Sequence, residues 1–203
     1  MNEIKPVELI VSFIIVVVIL LIVWALSPTK KFKRRLKRKK SPKRQTKHQR
    51  NINHANAVLQ WLRSKNPEAE LPTVIATLRK ISPYVFEELL LTCCQEQGWR
   101  IERNLRYSGD GGVDGRVWVS GSLYLIQAKR YADYINPQHI QQFQQTIEQL
   151  GASGGFFIHT GKTGDKSKQM IGDCPQVILV SGQKLVDFVL GKPVQITSTS
   201  VFI

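Results

Sequence analysis

Hydrophobic and polar positions follow three different patterns along the chain. From Val7 to Leu26 the residues read VELIVSFIIVVVILLIVWAL, with Glu8 as the only charge. Such a run, helical at ~1.5 Å per residue, reaches ~30 Å, the thickness of a bilayer hydrocarbon core. Trp24 lies near one end of it, where an indole ring suits the headgroup level. The next stretch, TKKFKRRLKRKKSPKRQTKHQR, has almost no apolar positions and is too polar to fold by itself. Beyond residue 50, short apolar periods of helical and strand type alternate to the end.

These later patterns predict specific elements. NINHANAVLQWLRSKN places Val58, Leu59, Trp61 and Leu62 at helical spacing, and Pro67 and Pro72 are expected to break that helix. Ser82-Pro83 offers an N-cap and a first-turn proline for the helix YVFEELLLTCCQEQ, which Gly98 ends. A strand is expected near Trp99–Leu105, then the glycine-rich loop SGDGG. Strands VDGRVWV and LYLIQAK come next, joined by a tight turn within Ser120-Gly121-Ser122. After Pro137, Ile140, Phe143, Ile147 and Leu150 recur at intervals of a helix. GGFFIHT and QVILVS read as strands, and GQKLVDFVL as a last helix ending at Gly191. The expected fold class is therefore α/β, a central mixed β-sheet flanked by helices and preceded by one N-terminal transmembrane helix. The expected organisation is an anchor at 1–28, a polybasic juxtamembrane linker at 29–50, a helical connector at 51–80, a catalytic domain at 81–192 and a tail at 193–203.

Charge sharpens this reading mainly by where it lies. The net charge is +14, yet 13 of the 29 basic residues fall between Lys30 and Arg50, where there is no Asp or Glu. The rest of the chain is close to neutral, with 16 basic and 15 acidic residues. Positive charge after the apolar run, with only Lys5 before it, is the reverse of a signal peptide and places the basic side in the cytoplasm. A single-pass inner-membrane protein with its C-terminal domain in the cytoplasm is expected. The basic segment would also lie on anionic lipid or hold DNA loosely through its phosphates. Cys93, Cys94 and Cys174 are read as core residues in a reducing compartment. His48, His54, His139 and His159 show no paired zinc-ligand spacing. Gly155 to Thr163 resembles a P-loop, but five residues separate its glycines where four are needed, and the stretch itself reads as a strand.

The hairpin gathers the candidate chemistry. With Gly121-Ser122 as its loop, Ser120 meets Leu123, Asp114 lies opposite Lys129, and Arg116 lies opposite Gln127. Alternation puts all four side chains on one face. Taken by pairing alone, an Asp114–Lys129 ion pair worth under ~1 kcal/mol accounts for this arrangement. Asp110 reads as a turn former, and Gly111, Gly112 and Gly115 as positions of unusual backbone angle or close approach. Arg116, Arg130 and Tyr131 are candidates for phosphate contacts.

The surrounding motifs point further. Pro83-Tyr84-Val85-Phe86-Glu87, Gly109-Asp110-Gly111-Gly112-Val113-Asp114-Gly115 and Gln127-Ala128-Lys129-Arg130-Tyr131 resemble the Mrr-type restriction endonuclease domain of the PD-(D/E)XK nuclease superfamily. HTGKTGDKS and ILVSGQKLVDFVL sit where that family has its later strands and final helix, so the resemblance covers residues 82–191. It implies a restriction-endonuclease-like fold, Asp114 and Lys129 as catalytic residues, and Gln127 at the position that is Glu or Asp in most of the superfamily. Glu87 matches the helical acidic residue that many members add to the site. The implied cofactor is Mg²⁺, with Mn²⁺ as a substitute, held by Asp114 and Gln127. The implied partner is DNA, in restriction of foreign or modified DNA; cutting both strands with one site per chain would call for a homodimer. Gln127 offers only a neutral oxygen, and this departure motivates the alternative of an inactive, membrane-tethered DNA-binding module.

Overall fold

The computed structural model describes residues 6–26, 45–65, 71–104, 112–193, 195–197 and 200–202. The chain divides into two compact units, Met1–Lys43 and Arg44–Ile203. In the first, a single helix, α1, covers Pro6–Leu26, 21 residues in all. Its apolar side chains from Phe13 to Leu26 are exposed along the whole length. Among the described residues no helix is long and apolar enough to cross a membrane. The side chains at positions 6, 8, 9 and 12 are not among those described, and the continuous stretch from Phe13 to Leu26 reaches only ~21 Å at ~1.5 Å per residue. The span expected at residues 7–26 is thus not established by the fold itself. Most of the basic segment also lies outside the described residues.

The second unit is built on one sheet. Strands β1 (Arg100–Arg103), β2 (Gly115–Val119), β3 (Ser122–Lys129), β4 (Gly154–His159) and β5 (Val177–Val180) lie side by side in that order. The first three pair antiparallel, and β3, β4 and β5 run parallel. β4 is buried at every position, as a central strand covered on both faces must be. Even-numbered residues of β3, Ile126 among them, join Val117, Phe156, Ile158 and Val180 in one core. That core is closed by α2 (Lys47–Lys65), α3 (Leu71–Lys80), α4 (Pro83–Glu96) and α7 (Gly182–Val189). Leu125, Phe157 and Val177 face the other way, onto Ile140, Phe143 and Ile147 of α5 (Pro137–Gln149) and toward α6 (Asp165–Gly172). The expected mixed sheet flanked by helices is therefore present. Cys93, Cys94 and Cys174 are buried and unbridged.

Four differences from the sequence expectation have physical causes. α2 begins at Lys47, inside the basic segment, because Thr46 caps Gln49 N–H at 3.1 Å, His48 meets the buried Glu88, and Lys47 lies over the Tyr84 ring. Pro72 does not break a helix; it sits in the first turn of α3, where its missing N–H would have had no intrahelical partner. Pro67 lies outside the described residues. Ala55, Leu59 and Leu62 of α2 and Val74, Ile75 and Leu78 of α3 are buried in the same core as the sheet, so residues 51–80 contribute structure and not only length. Residues 193–203, read as a tail, contain an antiparallel pair, β6 (Gln195–Thr197) and β7 (Ser200–Phe202).

Candidate active site

The β2–β3 turn fixes which residues meet. Ser120 and Gly121 both have positive φ, 50° and 85°, as the two central positions of a type I′ hairpin turn require. Val119 therefore pairs with Ser122 and Gly115 with Ile126. The expected loop at Gly121-Ser122 is off by one position, and the strands are offset by two residues from the expected register. Asp114, just beyond the ladder, donates its N–H to Ile126 O and does not pair with Lys129, and Arg116 stands opposite Leu125. A two-residue offset preserves alternation within β3, so Gln127 and Lys129 still share one face, and the Ala128 N–H between them is the donor to Asp114 Oδ2.

Asp114 lies just before β2 and is held from two sides. Its N–H donates to Ile126 O at 2.8 Å, and its Oδ2 accepts the Ala128 N–H at 2.7 Å. The next residue, Gly115, lets α4 approach: a Cβ there would fall 2.6 Å from Leu91 Cδ2. Gly112 has φ of 83°, a left-handed conformation, and its carbonyl accepts Gln127 Nε2–H at 2.9 Å. Asp110 and Gly111 lie outside the described residues.

Gln127 is 7% exposed, and its Oε1 is buried with no hydrogen-bond partner among the described residues. The orientation of its amide is decided by Gly112, since only the NH₂ end can donate to a carbonyl. The oxygen is thereby left as an uncommitted acceptor on the β3 face that carries Lys129. An uncompensated buried oxygen costs about 1–3 kcal/mol, and a hard cation would relieve it. Oxygen donors suit Mg²⁺, which keeps several waters and needs only one or two protein carboxylates. Asp114 and Gln127 thus fit the cation the sequence resemblance implies. No group of three or more His, Cys, Asp or Glu able to hold a metal occurs among the described residues, so the candidate donor set is short in charge.

Glu87 and Glu88 are neighbours on α4 with opposite surroundings. Glu88 is buried and bound by Arg103 Nε at 2.9 Å and His48 Nδ1 at 3.3 Å. Glu87 is half-buried, and burial pushes its pKa up to about 8, with the charges of Asp114 and Glu88 raising it further and those of Arg130 and Lys129 opposing. Burial likewise pushes Asp114 up to about 6, against the Ala128 hydrogen bond and the Lys129 charge. A structural ion pair would have lowered the carboxylate instead. None of the described ion pairs joins Asp114 to Lys129, so the simple cross-strand pair is not what is found. Two carboxylates held above their ordinary range beside a lysine are the mark of a site poised to take up positive charge.

Lys129 ends β3, level with His159 on β4. The phosphate-contact candidates divide. Arg130 turns inward and donates Nη1 to the carbonyls of Arg79 (2.9 Å) and Ile81, closing the end of α3. It is a structural residue, because those carbonyls at the helix end have no intrahelical donor. Arg116 forms an exposed pair with Glu102 at 3.3 Å. Tyr131 is hydrogen-bonded to His139 Nδ1 on α5. Sequence reasoning passed over His139 and His159, since a single histidine on an apolar helix or strand carries no spacing signal.

A restriction endonuclease family model of the Mrr type matches residues 78–189. No curated protein matches the chain. Among solved structures, the DNA modification-dependent restriction endonuclease AspBHI is similar over 63% of this chain and 37% of its own, at 19% identity and a TM-score of 0.46. The MspJI restriction endonuclease in complex with a 27-mer oligonucleotide is similar over 71% and 32%, at 19% identity and a TM-score of 0.36. The restriction endonuclease FokI is similar over 73% and 30%, at 11% identity and a TM-score of 0.42. The chain spans about a third of the length of these three structures. Likenesses this weak carry no argument about activity, and the assignment rests on the family match. With more than half of its residues inside that match, the chain belongs to the Mrr-type restriction endonucleases of the PD-(D/E)XK nuclease superfamily.

Proposed function

We propose that the protein is a Mg²⁺-dependent endonuclease that hydrolyses DNA phosphodiesters in restriction of foreign or modified DNA, with Asp114, Gln127, Lys129 and Glu87 as its site. The observation that carries this reading is the orphaned Gln127 Oε1, next in sequence to the Ala128 N–H that holds a half-buried Asp114 whose pKa is raised to about 6. Asp114 and Gln127 would hold the cation. When bound, it supplies positive charge against the phosphate and makes a water molecule more acidic. Lys129 orients that water and stabilises the negative charge that grows on the phosphate oxygens. Glu87 supplies the second carboxylate that Gln127 lacks. The backbone N–H of Ala128 and the carbonyl of Gly112 hold Asp114 and Gln127 in place, so little reorganisation is needed at the moment of reaction.

The same proposal includes a membrane anchor at residues 1–28 in the inner membrane, with the basic segment and the catalytic domain on the cytoplasmic side. The support is the helical backbone from Pro6 to Leu26, the apolar sequence it carries and the positive charge beyond it. Cutting of both strands by one site per chain calls for two chains on the DNA.

The test is plasmid cleavage by the full chain in detergent, wild type against Asp114→Asn and Lys129→Ala, with Mg²⁺, with Mn²⁺ and with EDTA. Metal-dependent nicked or linear products, lost in both variants, are expected. DNA binding without any cleavage of modified or unmodified plasmid would replace this reading with the inactive DNA-holding module that Gln127 suggests.

A further inference from the structure

Three side chains beside Lys129 take no part in the chemistry above. His159 is fully buried, and both its ring nitrogens are engaged: Gly161 N–H donates to Nδ1 at 3.2 Å, and Nε2 lies 3.4 Å from Thr163 Oγ1. It is occupied inside the fold. Tyr131 and His139 differ, because both are partly exposed and hydrogen-bonded to one another. Their rings lie 6.1 Å apart with 30° between the planes.

The network orients the histidine. Tyr131 is fixed through its backbone, whose N–H donates to Thr160 Oγ1 at 3.1 Å while that hydroxyl donates back to Tyr131 O at 3.0 Å. The Tyr131 hydroxyl is hydrogen-bonded to His139 Nδ1, where its O–H finds an acceptor in the neutral ring. A neutral imidazole that accepts at Nδ1 carries its hydrogen on Nε2. Burial and the charge of Lys129 lower the His139 pKa, which favours that neutral form. The odd-numbered residues Leu125, Gln127 and Lys129 share a face of β3, and Leu125 and Tyr131 pack with Ile140 and Phe143 of α5. The helix that carries His139 therefore covers the face on which Lys129 stands. A fixed neutral donor next to a catalytic ammonium suits an anionic oxygen.

We propose that His139, oriented by Tyr131, donates its Nε2–H to a phosphate oxygen of the DNA strand held at Lys129, and so positions that strand for cleavage. This rests on the nuclease reading, and the experiment separates the two. The full chain in detergent is compared with His139→Ala, His139→Gln, Tyr131→Phe and Lys129→Ala for plasmid cleavage with Mg²⁺, and for duplex DNA affinity across a salt series in EDTA. A hydrogen bond to a charged group predicts a loss of about 10- to 100-fold in cleavage for His139→Ala. His139→Gln, whose amide nitrogen stands in for Nε2, recovers most of it. Tyr131→Phe causes a smaller loss, and adding it to His139→Ala causes no further loss, as coupled residues require. Affinity falls in His139→Ala with the salt slope unchanged, because a neutral donor releases no counterion, whereas Lys129→Ala reduces the slope by about 1.

Wild-type cleavage and affinity in His139→Ala would overturn the inference and leave the nuclease reading standing, and a reduced salt slope would overturn it as well. Binding without cleavage in the wild type would defeat the nuclease reading, while the affinity arm would still decide the phosphate contact. No binding by the wild type would defeat both.

Discussion

Replacing Asp114 by Asn stabilises the metal-free protein at neutral and alkaline pH, although it removes the carboxylate we propose as a metal ligand. Burial raises the Asp114 pKa from 3.8 to about 6. The folded state therefore holds its proton more tightly than the unfolded chain does. The stability this contributes is complete below pH 3.8 and is lost as pH rises through about 6. At about 1.4 kcal/mol per pKa unit the loss is about 3 kcal/mol, and it already includes the compensating Ala128 hydrogen bond. An amide in place of the carboxylate keeps an acceptor for that N–H and carries no charge, so the Asp114→Asn variant escapes the loss. Relief of Glu87, whose pKa the Asp114 charge also raises, adds in the same direction.

The assay is reversible urea or thermal unfolding of wild type and variant in EDTA, from about pH 4 to about pH 8. The two are expected to be nearly equal at the acid end and to diverge by about 2–3 kcal/mol at the alkaline end. For a unit of this size that is a Tm difference of roughly 5–10 °C in favour of the variant. Added Mg²⁺ reverses the order, because wild type gains about 2.7 kcal/mol at a hundredfold excess over Kd and the variant gains little. Parallel pH curves in EDTA, or a variant less stable than wild type at alkaline pH, would refute the claim that Asp114 is an electrostatically costly residue retained for a cation.

Three further outcomes are expected from the same geometry. Glu87→Gln raises the Mg²⁺ concentration needed for half-maximal cleavage and flattens the rise of wild-type activity toward pH 8, which metal titrations at several pH values will measure. Gln127→Glu adds charge to the donor set and tightens Mg²⁺ binding, but it takes the donor from Gly112 O and destabilises the metal-free protein by about 1–3 kcal/mol; calorimetric metal titration and urea unfolding in EDTA report the two effects separately. Arg130→Ala leaves the carbonyls of Arg79 and Ile81 without their donor and costs about 2–4 kcal/mol, lowering the unfolding midpoint without shifting the metal requirement of the protein that remains folded.

The family and the sheet were legible in order and spacing. Apolar alternation in LYLIQAK places Gln127 and Lys129 on one face, and the tight turn before it brings Asp114 to the same end of the hairpin, whichever pair of residues makes the turn. Ser120-Gly121 and Gly121-Ser122 both suit a tight loop, and choosing one over the other slides the strands by two residues, which preserves faces and changes partners. Only the folded backbone, with positive φ at Ser120 and Gly121, decides that Gly115 pairs with Ile126 and that Asp114 donates to Ile126 O and does not pair with Lys129.

Tertiary structure alone decided what each polar side chain does once it is there. Glu87 and Glu88 are adjacent identical residues, and a turn of about 100° per helical position sends one toward Asp114 and the other into an ion pair with Arg103. Arg130 reads as a phosphate contact beside Lys129, yet the end of α3 claims it. His139 meets Tyr131 only because α5 packs across the β3 face. The sequence by itself determined which side chains lie on which face, since alternation is a local property of the strand. Which of those side chains are desolvated, paired or left with a free oxygen depends on helices far away in the chain, and burial by those helices is what raises Asp114 and Glu87 and orphans Gln127 Oε1.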